Sequence, residues 1–269
     1  MSLKYYIPFV YGISTRSNHY LYMLSFMITF VFLILMAILF YNNDFFYILP
    51  RYLVGLTALY SVYELGYMFN DTYTVQLETK PTYRLRASEL SGVKKNARKL
   101  IIIRICVVII PCLLLLKVLG IKNLIWFAGS LFLLALVFSL HNRIRSKLNL
   151  VTIFLVSVLR YTSIPILFIP LDHYPLYLFV LVSMFPVIRT VEYAYIKFDF
   201  KWLANYALDL MRVMYYALLF LISMLLVALN EDFMVALALS GYMLFFRLAG
   251  YVASHNKRVQ AIRSNYLRK

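Results

Sequence analysis

Uncharged apolar stretches recur along the chain, separated alternately by very short polar connections and by longer basic ones. The clearest runs from Tyr20 to Tyr41, 22 residues without a charge. At about 1.5 Å per residue it crosses a hydrocarbon layer of about 30 Å unaided. It is too long for a removable signal peptide and lacks the small-residue cleavage site of one, so it is expected to stay with the chain. Comparable stretches lie near 19–41, 47–70, 100–119, 122–140, 150–170, 174–195, 205–229 and 233–253. The pattern predicts eight transmembrane helices.

Composition and charge fix the class and its orientation. With 63% hydrophobic and 14% charged residues in 269, the chain reads as an all-α polytopic membrane protein of one domain over residues 1–269. A cytoplasmic segment at 1–18 precedes the spans and a basic tail at 254–269 follows them. The connections at 42–46, 120–121, 171–173 and 230–232 carry almost no Lys or Arg, whereas the alternate segments carry nearly all of it. By the positive-inside rule both termini and the basic loops are cytoplasmic, which fits the inner membrane of a prokaryote. The net charge of +16 is then mainly topological, and secondarily a surface for anionic lipid. Nucleic acid is excluded as a partner because the basic residues are divided among tethered loops and form no continuous stripe.

Most of the 24 Tyr and 21 Phe are expected to face lipid or form interfacial belts, while Tyr60, Tyr63 and Tyr67 share a face of the second helix that suits a lipid tunnel. Cys106 and Cys112 diverge around one helix and read as core thiols, and the four His have no metal-ligand spacing. Charges within spans are costly and need partners. Glu64, Arg104, Arg160, Arg189, Glu192, Asp209, Arg212 and Arg247 are such charges. Asp209 and Arg212, three apart on one helix, predict a structural ion pair.

The second helix turns polar from Glu64 to Ser91. If it continues past Asn70, then Tyr67, Asn70, Asp71, Thr74 and Glu78 lie on one face. Hard oxygen donors so placed suit Mg²⁺ shared with substrate phosphates, and Asn70, Asp71 and Glu78 are its candidate ligands. Lys80, Arg84 and Arg86 come next as candidate phosphate donors.

This stretch resembles the first signature of the UbiA superfamily of intramembrane prenyltransferases, Asn-Asp at 70–71, an acid at Glu78, then Lys80-Pro81-Thr82-Tyr83-Arg84 and Arg86-Ala87-Ser88. The tail is similar to the branch that acts on decaprenyl phosphate and phosphoribosyl pyrophosphate. Thr74 stands where the family has its middle Asp, and Glu78 replaces the last. Phe138-Ser139-Leu140 opens a second resemblance, in which Arg143 falls on a family Lys, Asn149 on an Asp and Arg160 on an Arg, with Arg145 beside a mismatch at Ile144. Arg189 and Glu192 look like a third motif that completes a diphosphate site.

The resemblance implies a ring of nine helices with a cytoplasmic polar cap, of which this chain supplies eight, leaving a gap for lipid or a second copy of the chain. It implies a Mg²⁺-assisted transferase that displaces pyrophosphate, with Asp71, Glu78 and Arg160 catalytic and Lys80, Arg84, Arg86, Arg143, Arg145, Arg189 and Glu192 on the diphosphate. Its partners would be a polyprenyl lipid and a phosphorylated or diphosphate co-substrate. Three functions are open to such a chain: phosphoribosyl transfer to a polyprenyl phosphate, prenyl transfer to an aromatic or lipid acceptor, and a non-catalytic lipid-binding scaffold, which the loss of a carboxylate at Thr74 favours.

Overall fold

The computed structural model describes residues 5–16, 20–77, 81–144, 146–198 and 208–255; the tail expected at 254–269 thus lies almost wholly outside the described residues. Within them the regular structure is helical, and eight helices are long and apolar enough to cross a membrane: Tyr22–Tyr41, Phe45–Leu77, Ala97–Leu116, Ile121–Arg143, Asn149–Leu167, Tyr174–Lys197, Leu208–Leu229 and Glu231–Ser254. The chain is an all-α polytopic membrane protein. Bulky apolar side chains remain exposed, among them Ile110, Leu113 and Leu114 on one helix and Phe132 on the next. Hydrocarbon, not water, must cover them, while helical hydrogen bonding satisfies the backbone. Cys106 belongs to this exposed surface, a correction to its reading as a core thiol; Cys112 is half-buried and neither is bridged.

Local chemistry sets the breaks. Gly120 alone separates two long helices and takes φ +80°, a left-handed value that Gly adopts without steric cost. Asp44 opens another helix by accepting from the Tyr47 N–H at 2.9 Å. Pro186 has no N–H to donate, and the span over 174–197 is divided there into Tyr174–Met184 and Pro186–Phe198.

The chain forms two compact units, Met1–Val182 and Ser183–Lys269. In the first we label α1 (Val10–Arg16), α2 (Tyr20–Phe26), α3 (Leu33–Tyr41), α4 (Phe45–Phe69), α5 (Ala87–Lys95), α6 (Ala97–Leu119), α7 (Ile121–Arg143), α8 (Asn149–Thr162) and α9 (Tyr174–Met184), whose last two residues belong to the second unit. The central element is α4, which packs on α3, α6 and α7. A π-helical stretch, Met27–Phe32, joins α2 to α3, and its carbonyls at Val31 and Thr29 accept from the hydroxyls of Tyr52 and Tyr161 at 2.7 and 2.8 Å. Gly66 lets the Phe138 ring of α7 lie directly on the α4 backbone, where any Cβ would overlap it.

In the second unit, the helix Pro186–Phe198, α10, packs on α11 (Leu208–Leu229). With α12 (Met234–Ser254), α11 forms a hairpin turned at Asn230, whose side chain accepts from the Asp232 N–H at 2.8 Å. Tyr215 and Tyr216 donate to the carbonyls of Ser183 and Met184 beside the Pro186 break.

Candidate functional site

Regular α4 bonding ends at Asn70. Asn70–Thr74 form a π-helical turn, closed by the Val75 N–H on the Asn70 carbonyl, and Val75–Leu77 tighten into a 3-10 turn. The wider turn places Asp71, Thr72 and Thr74 inside and Tyr73 outside. A straight helix to Glu78 is thus corrected to one that changes pitch at the candidate site, a frequent position for π-turns.

Asp71 is the hub of that site. Its Oδ2 accepts from the Tyr11 hydroxyl at 2.6 Å and from Arg16 Nη1 at 2.9 Å. Its Oδ1 accepts from Arg16 Nη2 at 2.9 Å and from Arg84 Nη1 at 3.3 Å. Arg16 thus grips both oxygens in a fork and lies 3.8 Å from the centre of the Tyr67 ring. Burial pushes the Tyr11 hydroxyl well above the ordinary tyrosine range and the Asp71 charge pushes it further, so it stays a donor. Burial alone would lower Arg16, but Asp71 together with Tyr67 and Tyr11 outweighs it and the guanidinium is held above its ordinary value.

These contacts decide the fit to Mg²⁺. Both Asp71 oxygens face guanidinium groups, and the Asn70 side-chain oxygen accepts from the Thr74 hydroxyl at 2.9 Å. Glu78 lies outside the described residues; among those described, no three His, Cys, Asp or Glu side chains come together. Among the described residues one carboxylate stands here, and a divalent cation would have to compete with two arginines for it. The described part of the site is two guanidinium groups converging on Asp71.

The remaining cations divide. Lys80 and Arg145 lie outside the described residues. Arg86 is exposed, and its backbone N–H donates to Glu89 Oε2 at 3.0 Å to open α5. Arg143 is exposed with its guanidinium 5.8 Å from the Phe69 ring. Asn149 is buried at the start of α8, where its Oδ1 accepts from Thr152 at 2.9 Å.

The N-terminal segment is built into the first unit. Glu64 Oε1 accepts from the Gly12 N–H at 2.6 Å, and Arg104 Nη2 donates to the carbonyls of Tyr5 and Ile7 at 3.1 Å each. Glu64 and Arg104 pair at 2.9 Å with both side chains fully buried. Phe9 takes φ 72°, which a residue with a side chain rarely adopts, and its ring stacks on Tyr60 at 4.5 Å. Tyr5 and Tyr11 pack with Met68, Val93 and Leu100. Residues 5–16 therefore line α4 from Tyr60 to Asp71. Sequence reasoning missed Tyr11 and counted Arg16 only for topology; the available signal was a cation and a hydroxyl just ahead of the first span and a span-end carboxylate in need of partners.

Deeper along α4, Arg160 lies within a box of rings, 4.2 Å from the centre of Phe30 and 4.6 Å from that of Tyr63. It donates to the hydroxyls of Tyr60 and Tyr63, and among the described residues it has no carboxylate partner. Tyr63 and Tyr67 meet at 4.9 Å, so one tyrosine face connects Arg160 to Arg16 and Asp71.

In the second unit Glu192 is buried and accepts from Arg212 Nε at 2.6 Å and Arg189 Nη1 at 3.3 Å. Arg212 also donates to Asp209 at 2.9 Å, the ion pair expected from their spacing. Arg189 and Glu192 thus serve an ion-pair network within their own unit.

Comparison with known protein families, curated proteins and solved structures finds no match to this chain.

Proposed function

We propose that the chain is an intramembrane transferase of the UbiA type that takes a diphosphate donor at Asp71 and releases pyrophosphate. The observation that carries this reading is the convergence of Arg16 and Arg84 on the buried Asp71 carboxylate. A guanidinium fork that fits a carboxylate also fits two phosphate oxygens. An incoming diphosphate therefore exchanges with Asp71 for Arg16 and Arg84, and the freed carboxylate keeps its hydrogen bond from Tyr11. In phosphoribosyl transfer, a polyprenyl phosphate oxygen attacks the sugar's anomeric carbon while the bond to pyrophosphate breaks and its electron pair leaves with pyrophosphate. The two arginines stabilise the charge that builds there. The exposed Arg86, with Lys80 and Arg145 on the same basic segments, adds cations for a water-soluble donor, and the tyrosine face towards Arg160 provides a lane for the lipid. The basic loops support a cytoplasmic position for this chemistry.

A specific observation favours the non-catalytic reading: Asp71 already has a complete set of partners, and Thr74 bonds Asn70 where the family has a carboxylate. Purified protein supplied with polyprenyl phosphate and radiolabelled phosphoribosyl pyrophosphate, with and without Mg²⁺, separates the readings. Label should enter the lipid phase, and Arg16→Ala and Arg84→Ala should each weaken the transfer. Consumption of a prenyl diphosphate instead would assign prenyl transfer; neither reaction nor binding would assign a scaffold.

A further inference from the structure

Between α4, α5, α6 and α7 lies a groove of about 260 Å³, and Asp71, Arg16 and Arg84 are not among its walls. It exists because Ala97 and Ala135, one from each of two helices, leave a recess between larger neighbours such as Leu65, Phe69 and Ile101. Its lining is almost wholly apolar, so water gains few partners there and hydrocarbon fits. Ile101 and Tyr73 are both more than two-fifths exposed, which opens the groove towards surrounding lipid.

The rim carries charge of one sign. Phe69 and Tyr73, which line the groove where α4 ends, pack together at 5.7 Å. The Arg143 guanidinium lies 5.8 Å from the Phe69 ring and the Lys94 ammonium 5.7 Å from the Tyr73 ring. Both cations are exposed, and among the described residues neither belongs to an ion pair. An apolar recess with two unneutralised cations at one end complements an amphiphile with a negative head.

We propose that the groove binds one anionic phospholipid, with an acyl chain in the recess and the phosphate held by Lys94 and Arg143. The aromatic faces beneath both cations keep them at the rim. A zwitterionic lipid offers the same chain but adds its own cation next to Lys94 and Arg143, so the head decides the choice.

The full chain, reconstituted in phosphatidylcholine nanodiscs doped with phosphatidylglycerol and released into mild detergent, is weighed by native mass spectrometry to count retained lipids. One phosphatidylglycerol should be retained in preference to phosphatidylcholine. Lys94→Gln and Arg143→Gln should each lower its retention about fivefold. Ala135→Trp, at an exposed position, should fill the recess and lose the lipid with both cations and the helical circular dichroism intact. Equal retention of the two lipids overturns the proposal, as does loss in Ala135→Trp with no effect of the charge changes, which would mark a groove for any acyl chain. Retention unchanged in all variants overturns it too. The readout is lipid retention and not transfer, so its failure is distinct from failure of the transferase reading.

Discussion

A single buried ion pair shows most plainly how side chains specify this protein. Glu64 and Arg104 are fully buried and hold each other and the N-terminal backbone. Removing one partner strands the other: Arg104→Met should cost about 3–5 kcal/mol, and Glu64→Leu combined with Arg104→Met should cost less than that single change. Thermal unfolding followed by tryptophan fluorescence reads the difference, and an additive double variant would mean the two do not act as a pair. Tyr11 gives a pH test. Its folded pKa is raised, so its stabilising bond to Asp71 is fully present below the ordinary tyrosine value of about 10 and is lost only as pH climbs towards the folded value. Tyr11→Phe should therefore lower stability by the same amount at about pH 6 and about pH 8. The sequence marked Glu64 and Arg104 as span charges in need of partners, and Asp71 and Arg84 as a candidate metal ligand and a candidate phosphate donor. It did not pair Glu64 with Arg104, 40 residues away, or bring Tyr11 and Arg16 to Asp71, because helical spacing reports only neighbours on the same helix.

At the scale of elements, the eight spans were legible because a bilayer imposes one length and one polarity on each. Three departures were not. The π-turn at Asn70–Thr74 changes pitch without a Gly or Pro to announce it, so a constant period misplaces the residues beyond Thr74. The segment 5–16 is too short to read as a span, yet the charges on α4 and α6 draw it in. The break at Pro186 splits a span that apolarity alone reads as continuous. The contact of α4 with α7 depends on a further local feature. With any Cβ at residue 66 overlapping the Phe138 ring, Gly66→Ala should cost about 1–3 kcal/mol by forcing the helices apart. Phe138→Leu should recover part of that loss in a double-mutant cycle, and no recovery would show that the strain is borne elsewhere.

Over the whole molecule, orientation is set by charge. Exposed apolar rings and aliphatic side chains fix the chain in a membrane but are indifferent to which side its ends face. Lys and Arg are not, because translocating them is disfavoured, and here they alternate with the spans almost without exception. An even number of spans carries both ends to one side, and by the positive-inside rule the excess of basic residues at those ends predicts that this side is the cytoplasm. The native thiols must be removed first, since Cys106 lies exposed on a membrane-facing helix and Cys112 is half-buried. In a Cys106→Ala, Cys112→Ala background, Ser2→Cys, Phe45→Cys, Glu231→Cys and Asn265→Cys should be tested one at a time with an impermeant maleimide on intact cells. Positions 45 and 231 should be labelled, while 2 and 265 should react only after the membrane is opened. Labelling of 265 but not 2 from outside would require an odd number of crossings, and with it a different assignment for one of the eight spans. Labelling of both ends would keep the count and reverse the orientation, which would put the Asp71 site on the outer face and out of reach of a cytoplasmic sugar diphosphate. The transferase reading would then lose its donor, so this measurement bears on function as directly as an assay does.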